Sequence, residues 1–205
     1  MIYNKHNFSI HSLCDKDRDY LGVHVTPEFT EVTNGHYLFR VSTPEIDMDD
    51  VPEAPNHPRI SPEMISKEDN ICDFVIHKDS GKAIENMIPN RHSYLPVLSN
   101  TWLGANTNKE QVEFISTDLE IANSKIIRKA EGKYCNTDKI WSDKEIKVSL
   151  GFNPDLMLKL CQQLKKMDIK YVKMDIRDEN EAIELTGKSI ETGQDIRALL
   201  MPKKG

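Results

Sequence analysis

The most regular hydrophobic pattern lies late in the chain. Glu145-Ile-Lys-Val-Ser-Leu150 alternates polar and apolar side chains, the period of a strand with one buried face. At Gly151-Phe-Asn-Pro154 the period changes. Asn153 suits a helix N-cap, and Pro154 suits the first helical position, where its missing N–H costs nothing. Leu156, Met157, Leu160, Cys161, Leu164 and Met167 recur along one helical stripe, which predicts a helix to about Met167. Three strands are expected after it, at Ile169–Ile176, Glu181–Leu185 and Gln194–Met201. Asp178-Glu-Asn180 and Thr192-Gly193 read as the turns between them.

Two earlier stretches follow the same plan of a short helix and then strands. In the middle stretch Cys72–His77 is strand-like, and Asp79 is placed to cap a helix carrying Ala83, Ile84, Met87 and Ile88. Pro89 ends that helix, and strands are predicted at Asn100–Ala105, Gln111–Ser116 and Leu119–Arg128. In the first stretch Tyr3–Leu13 reads as a helix, weakened by Asn4, Asn7 and Ser9. Strands follow at Leu21–Val25, Glu28–Val32 and Tyr37–Val41, the last two joined by an Asn34-Gly35 turn. Between these stretches Thr43–Asn70 holds Pro44, Pro52, Pro55, Pro58 and Pro62 with Asp47, Asp49 and Asp50. Proline removes backbone donors, so a long acidic loop or linker is predicted there.

Composition narrows the class. The chain has 205 residues, 38% of them hydrophobic and 29% charged, enough for a real core under a solvated surface. No run of about 18 apolar residues exists, and Met1-Ile-Tyr-Asn-Lys-His lacks the basic-then-apolar order of a signal peptide, so a cytoplasmic protein is expected. Cys14, Cys72, Cys135 and Cys161 form no CxxC or Cys/His zinc spacing; reduced thiols and no metal are expected. The net charge of −6 argues against a generic nucleic-acid coat, although a local basic face can act within an acidic chain.

The candidate chemical motifs read as structure. Thr186-Gly-Lys-Ser189 resembles the end of a phosphate-binding loop, but position 182 is alanine and the motif lies between predicted strands. Asp47-Met-Asp-Asp50 lacks the glycine and distal glutamate of a calcium loop. The histidines at 6, 11, 24, 36, 57, 77 and 92 show no HExxH spacing, and no GxSxG elbow exists. The expectation is therefore a binding protein without enzymatic activity or cofactor. The 154–167 helix presents Asp155, Lys159, Gln162, Gln163, Lys165 and Lys166, a face that suits phosphates as well as plain solvent.

Leu150-Gly-Phe-Asn-Pro154 leading into Leu156-Met-Leu-Lys-Leu160, with the ending Leu199-Leu-Met-Pro202, resembles the last half-domain of the DNA polymerase III beta subunit, the bacterial sliding clamp. Tyr20-Leu-Gly-Val23 with Val32-Thr-Asn-Gly-His-Tyr-Leu38 resembles that family's middle-domain strand pair. Thr117-Asp-Leu-Glu120, Ser124-Lys-Ile-Ile-Arg128 and Gly132-Lys-Tyr134 resemble a later part of the same domain.

The resemblance implies an α+β sliding-clamp fold, with antiparallel sheets, short helices on one face and about three half-domains. Residues 1–143 would form a clamp-type domain carrying the 43–70 loop, and 144–205 a C-terminal half-domain. It implies a DNA replication and processivity role, with polymerase or other clamp-binding proteins docking through a linear peptide. The matching pocket positions are Leu21, Thr33, Gly35, His36, Leu38, Ile140, Leu199, Met201 and Pro202. Non-specific contact with the duplex DNA backbone would fall to Lys78, Lys82, Arg91, Lys159, Lys165 and Lys166. A homo-oligomeric ring would need more copies than in three-domain relatives. The alternative is a clamp-derived interaction module that does not encircle DNA. Tyr37 replaces the arginine of the family's signature, and two lysines and a glycine replace its C-terminal tail.

Overall fold

Two sets of buried apolar side chains organise the chain, one in each of two compact units, Met1–Ile140 and Trp141–Gly205. The protein is described by a computed structural model over residues 2–14, 22–44, 73–89, 99–104, 111–117, 123–131, 134–140, 144–190 and 192–203. The long acidic loop expected at 43–70 lies outside the described residues except for Thr43 and Pro44.

The first unit consists of two similar halves. One runs β1 (Ile2–Asn4), α1 (Lys5–Ser9), β2 (Val23–Val25), β3 (Phe29–Thr33) and β4 (Leu38–Ser42). The other runs β5 (Phe74–Ile76), α2 (Lys78–Met87), β6 (Asn100–Gly104), β7 (Gln111–Thr117) and β8 (Asn123–Lys129). All their strand pairs are antiparallel. The sheets are ordered β4-β3-β2-β5 and β1-β6-β7-β8, so each half lends its leading strand to the other. Tyr3 sits opposite Thr101 in one exchange, and Ile76 opposite Val23 in the other. Neither half completes its sheet alone.

The core between the sheets is aromatic. Phe8 and Phe114 meet edge to face at 5.4 Å between centroids, with Tyr3 at 5.8 Å from Phe8 and Phe74 at 6.3 Å from Phe114. Such contacts add about 1 kcal/mol each beyond area burial. Gly22 is demanded by a close backbone approach: a Cβ there would lie 2.0 Å from the Ile76 carbonyl oxygen.

Two local expectations change. The first helix is shorter than 3–13, because Tyr3 and Asn4 belong to β1 and a 3-10 turn occupies Ile10–Leu13. Asn4 and Asn7, which weaken a helix interior, instead build its capping box: Asn4 Oδ1 accepts from the backbone of His6 and Asn7, and Asn7 Oδ1 accepts from the Asn4 N–H. The cap of α2 is His77, whose Nδ1 accepts from the Asp79 N–H; Asp79 lies in the first turn, where its charge suits the helix dipole.

The second unit contains α3 (Pro154–Lys166), β9 (Val172–Asp175), β10 (Ile183–Lys188) and β11 (Asp195–Leu200), in an antiparallel sheet ordered β11-β10-β9. Asn153 caps α3 and Pro154 opens it. Leu164, Ile169, Ile183, Leu185 and Leu200 form its small core, with Met157, Leu160, Ile196 and Ala198 against it. Leu156, Cys161 and Met167 of the apolar stripe remain exposed, since three short strands are too narrow to cover it. The segment 145–150 joins no ladder among the described residues, so its strand periodicity has no partner to act on. α3 ends with Asp168 in the left-handed region at φ 51°, a conformation glycine adopts more readily.

Candidate functional site

The β3–β4 hairpin brings together four of the expected pocket positions. Gly35 takes φ 88°, as a tight turn requires. Thr33 Oγ1 donates to the Tyr37 carbonyl at 2.6 Å, and Asn34 Oδ1 accepts from the His36 N–H at 3.0 Å. Thr33 is therefore buried as the hairpin's lock, while Gly35 and His36 are exposed and Leu38 is half-buried. Tyr37 and Phe39 are exposed beside them. Ile140 ends a 3-10 turn at Asp138–Ile140 and is 62% exposed. Leu21 lies outside the described residues.

In the second unit Leu199 and Met201 are 63% and 68% exposed, and Pro202 is half-buried. The alternation along β11 explains this: Ile196, Ala198 and Leu200 turn to the core, which leaves Leu199 on the other face. Of the expected phosphate-contacting cations, Lys82 is exposed and Lys78 half-buried on α2. Lys159, Lys165 and Lys166 are all exposed on α3. Arg91 lies outside the described residues.

A polar network in the first unit has no signature in sequence. His24 on β2 places Nδ1 2.9 Å from Glu31 Oε1 and Nε2 2.8 Å from Asp73 Oδ1. Arg40 on β4 donates from Nε to Glu31 Oε2 at 2.8 Å and from Nη2 to Thr137 Oγ1 and Asp138 Oδ1. Thr137 donates to Glu31 Oε1 at 2.6 Å. Tyr134 stacks on the His24 ring, and the Arg40 guanidinium lies over Phe29. Burial opposes the His24 cation, but hydrogen bonds and charge from Glu31 and Asp73 outweigh it, and its pKa is raised. Burial likewise opposes the Glu31 anion, but bonds from His24, Thr137 and Arg40 hold its pKa below the ordinary value. The network fastens residues 134–138 onto β3 and β4 beside a cavity of about 520 Å³. Only register could have revealed it: His24 and Glu31 sit opposite each other across the β2–β3 ladder.

A second cavity of about 520 Å³, in the other unit, is lined by Lys170, Lys173, Thr186, Gly187, Lys188 and Arg197 among others. Thr186 to Lys188 lie within β10, between β9 and β11, which is not the strand-to-helix turn of a phosphate loop. Burial pushes the Cys14 thiol up to about 11, so it is an inert core group. Among the described residues no cluster of His, Cys, Asp and Glu is arranged to hold a metal ion, and no helix is long and apolar enough to cross a membrane.

Among solved structures, a beta sliding clamp from C. crescentus superimposes with a TM-score of 0.60, over 99% of this chain and 50% of that one, at 14% sequence identity. The fold is that of a sliding clamp. This chain thus spans about half the length of the clamp it matches. No family model and no curated protein sequence matches it. In this chain the fold is carried by helix-and-sheet halves that exchange leading strands.

Proposed function

We propose that this chain is a non-enzymatic binding protein of the replication machinery, holding linear peptides of polymerase or related proteins through apolar side chains. The observation that supports this best is the clamp fold over nearly the whole chain. On the first unit His36, Leu38 and Ile140 supply contacts; on the second, Leu199, Met201 and Pro202 do. Exposed leucine and methionine side chains suit this task, because methionine adapts its shape to varied partners. Lys82, Lys159, Lys165 and Lys166 supply sequence-independent contacts to duplex phosphates. The working compartment is the cytoplasm.

Titrating a fluorescent clamp-binding peptide into the full chain tests this reading. Met201→Ala and His36→Ala are expected to weaken binding about tenfold each with the fold unchanged, since both side chains are exposed. Unchanged affinity in both variants defeats the assignment. A second reading, an interaction module that does not encircle DNA, is favoured by the net charge of −6. Retention on closed circular but not linear DNA supports encirclement; equal loss from both supports the module.

A further inference from the structure

The first unit shows how a half of this fold is completed, and the second unit is a half whose sheet gains no further strand among the described residues. In the first unit the strand leading into each helix crosses to the other half and pairs beside its first post-helix strand: β5 against β2, and β1 against β6. In the second unit the sheet stops at β9, the counterpart of β2 and β6, and the segment 145–150 leading into α3 joins no ladder among the described residues. The second unit therefore carries both a strand to give and an edge to receive one. A half offering both is self-complementary, which is the condition for a two-fold interface.

The details agree position by position. Tyr3 and Ile76, each one residue before a helix cap, point into the core. Counting back from the cap Asn153 in the same way, the core-facing positions are Phe152, Leu150, Val148 and Ile146, and all are apolar. Leu150 already leans on the core of its unit, whereas Ile146, Val148 and Phe152 are exposed, Ile146 at 78%. On the receiving edge, Met174 lies opposite the core residue Leu185 and so shares its face with Val172 and Ile176, all three exposed. The leading segment is also held as in the first unit. Two residues before the cap His77, Val75 exchanges backbone hydrogen bonds with Glu131, just beyond β8. Two residues before Asn153, Gly151 accepts from the Lys203 N–H at 2.8 Å, just beyond β11.

We propose that two copies of this chain dimerise through their second units, each giving its 146–152 segment to the β9 edge of the other. Phe152 then faces Val172, Leu150 faces Met174, and Val148 faces Ile176, antiparallel and in the register the first unit displays. The exposed apolar side chains involved amount to on the order of 500 Å² per copy, more than half of the roughly 800 Å² per partner of a standard interface. Two β-edges that would otherwise invite indiscriminate pairing are closed in the same step. The dimer does not depend on what the protein binds.

Light scattering on the full chain tests this, with a mass twice 23.5 kDa expected. Val148→Asp and Met174→Asp place charges in the new interface from exposed positions; each is expected to weaken dimerisation at least tenfold, by about 1.4 kcal/mol or more. Hydrogen exchange adds an independent reading: amides of 146–150 and 172–176 become protected as concentration rises, and lose that protection in both variants, while β3 is unaffected. A wild-type chain that stays monomeric across the micromolar range overturns the proposal. So does a dimer that survives both substitutions, because its interface lies elsewhere.

Discussion

His24 and Glu31 face each other across the β2–β3 ladder, with the imidazole Nδ1 2.9 Å from a carboxylate that is fully buried. The imidazole is also bonded to Asp73, so it works as a cation between two anions. Its folded pKa lies above the ordinary 6.5. The stability it contributes is fully present below the unfolded value and is lost as pH rises through the raised folded one. Thermal melts of the wild type are therefore expected to fall as pH rises above the ordinary 6.5. His24→Gln should flatten that slope; an equal slope in both proteins would assign the effect to another group.

Glu31 is the hub of the same network, with His24, Arg40 and Thr137 all bonded to it. Glu31→Gln keeps the shape but leaves two cations facing a neutral amide, at an expected cost of about 3 kcal/mol by urea denaturation. Glu31's folded pKa is lowered from 4.5, so its own contribution is lost only as pH falls through that depressed value. A Gln variant as stable as wild type at neutral pH would show the network to be decorative.

Gly22 stands where β2 approaches the backbone of β5, and the Cβ of any other residue there would lie 2.0 Å from the Ile76 carbonyl oxygen. Backbone cannot yield as a side-chain tip can. Gly22→Ala is expected to cost about 3 kcal/mol and to loosen the exchanged strand. Hydrogen exchange at Phe74–Ile76 reads this directly, and unchanged protection there would show that the strands can separate freely.

Asp168 holds a left-handed conformation at the end of α3. Asp168→Gly removes the steric penalty of a Cβ there and is expected to stabilise the second unit by about 1 kcal/mol. A lower denaturation midpoint would mean that the aspartate side chain contributes more than its backbone strain costs.

Much of the fold is legible in sequence because its signals are local. The Asn153-Pro154 start of α3, the Asn34-Gly35 turn and the β-periodic runs at 111–116 and 194–201 each depend on a few adjacent residues, and the structure forms an element at each. The clamp-type architecture was legible as well, through short motifs in a shared order. The polar network was not. His24, Glu31, Arg40, Asp73 and Thr137 are scattered along the chain, and only strand register and a returning segment bring them together.

Glu145–Leu150 marks the boundary between the two kinds of information. By itself the sequence determined that this segment has the alternation of a strand, because side-chain period is a property of neighbouring residues. Whether it becomes one was decided by tertiary structure, because a strand exists only when another backbone lies beside it to take its hydrogen bonds. The first unit supplies such neighbours by exchange between its halves, while in the second, among the described residues, the sheet ends at β9.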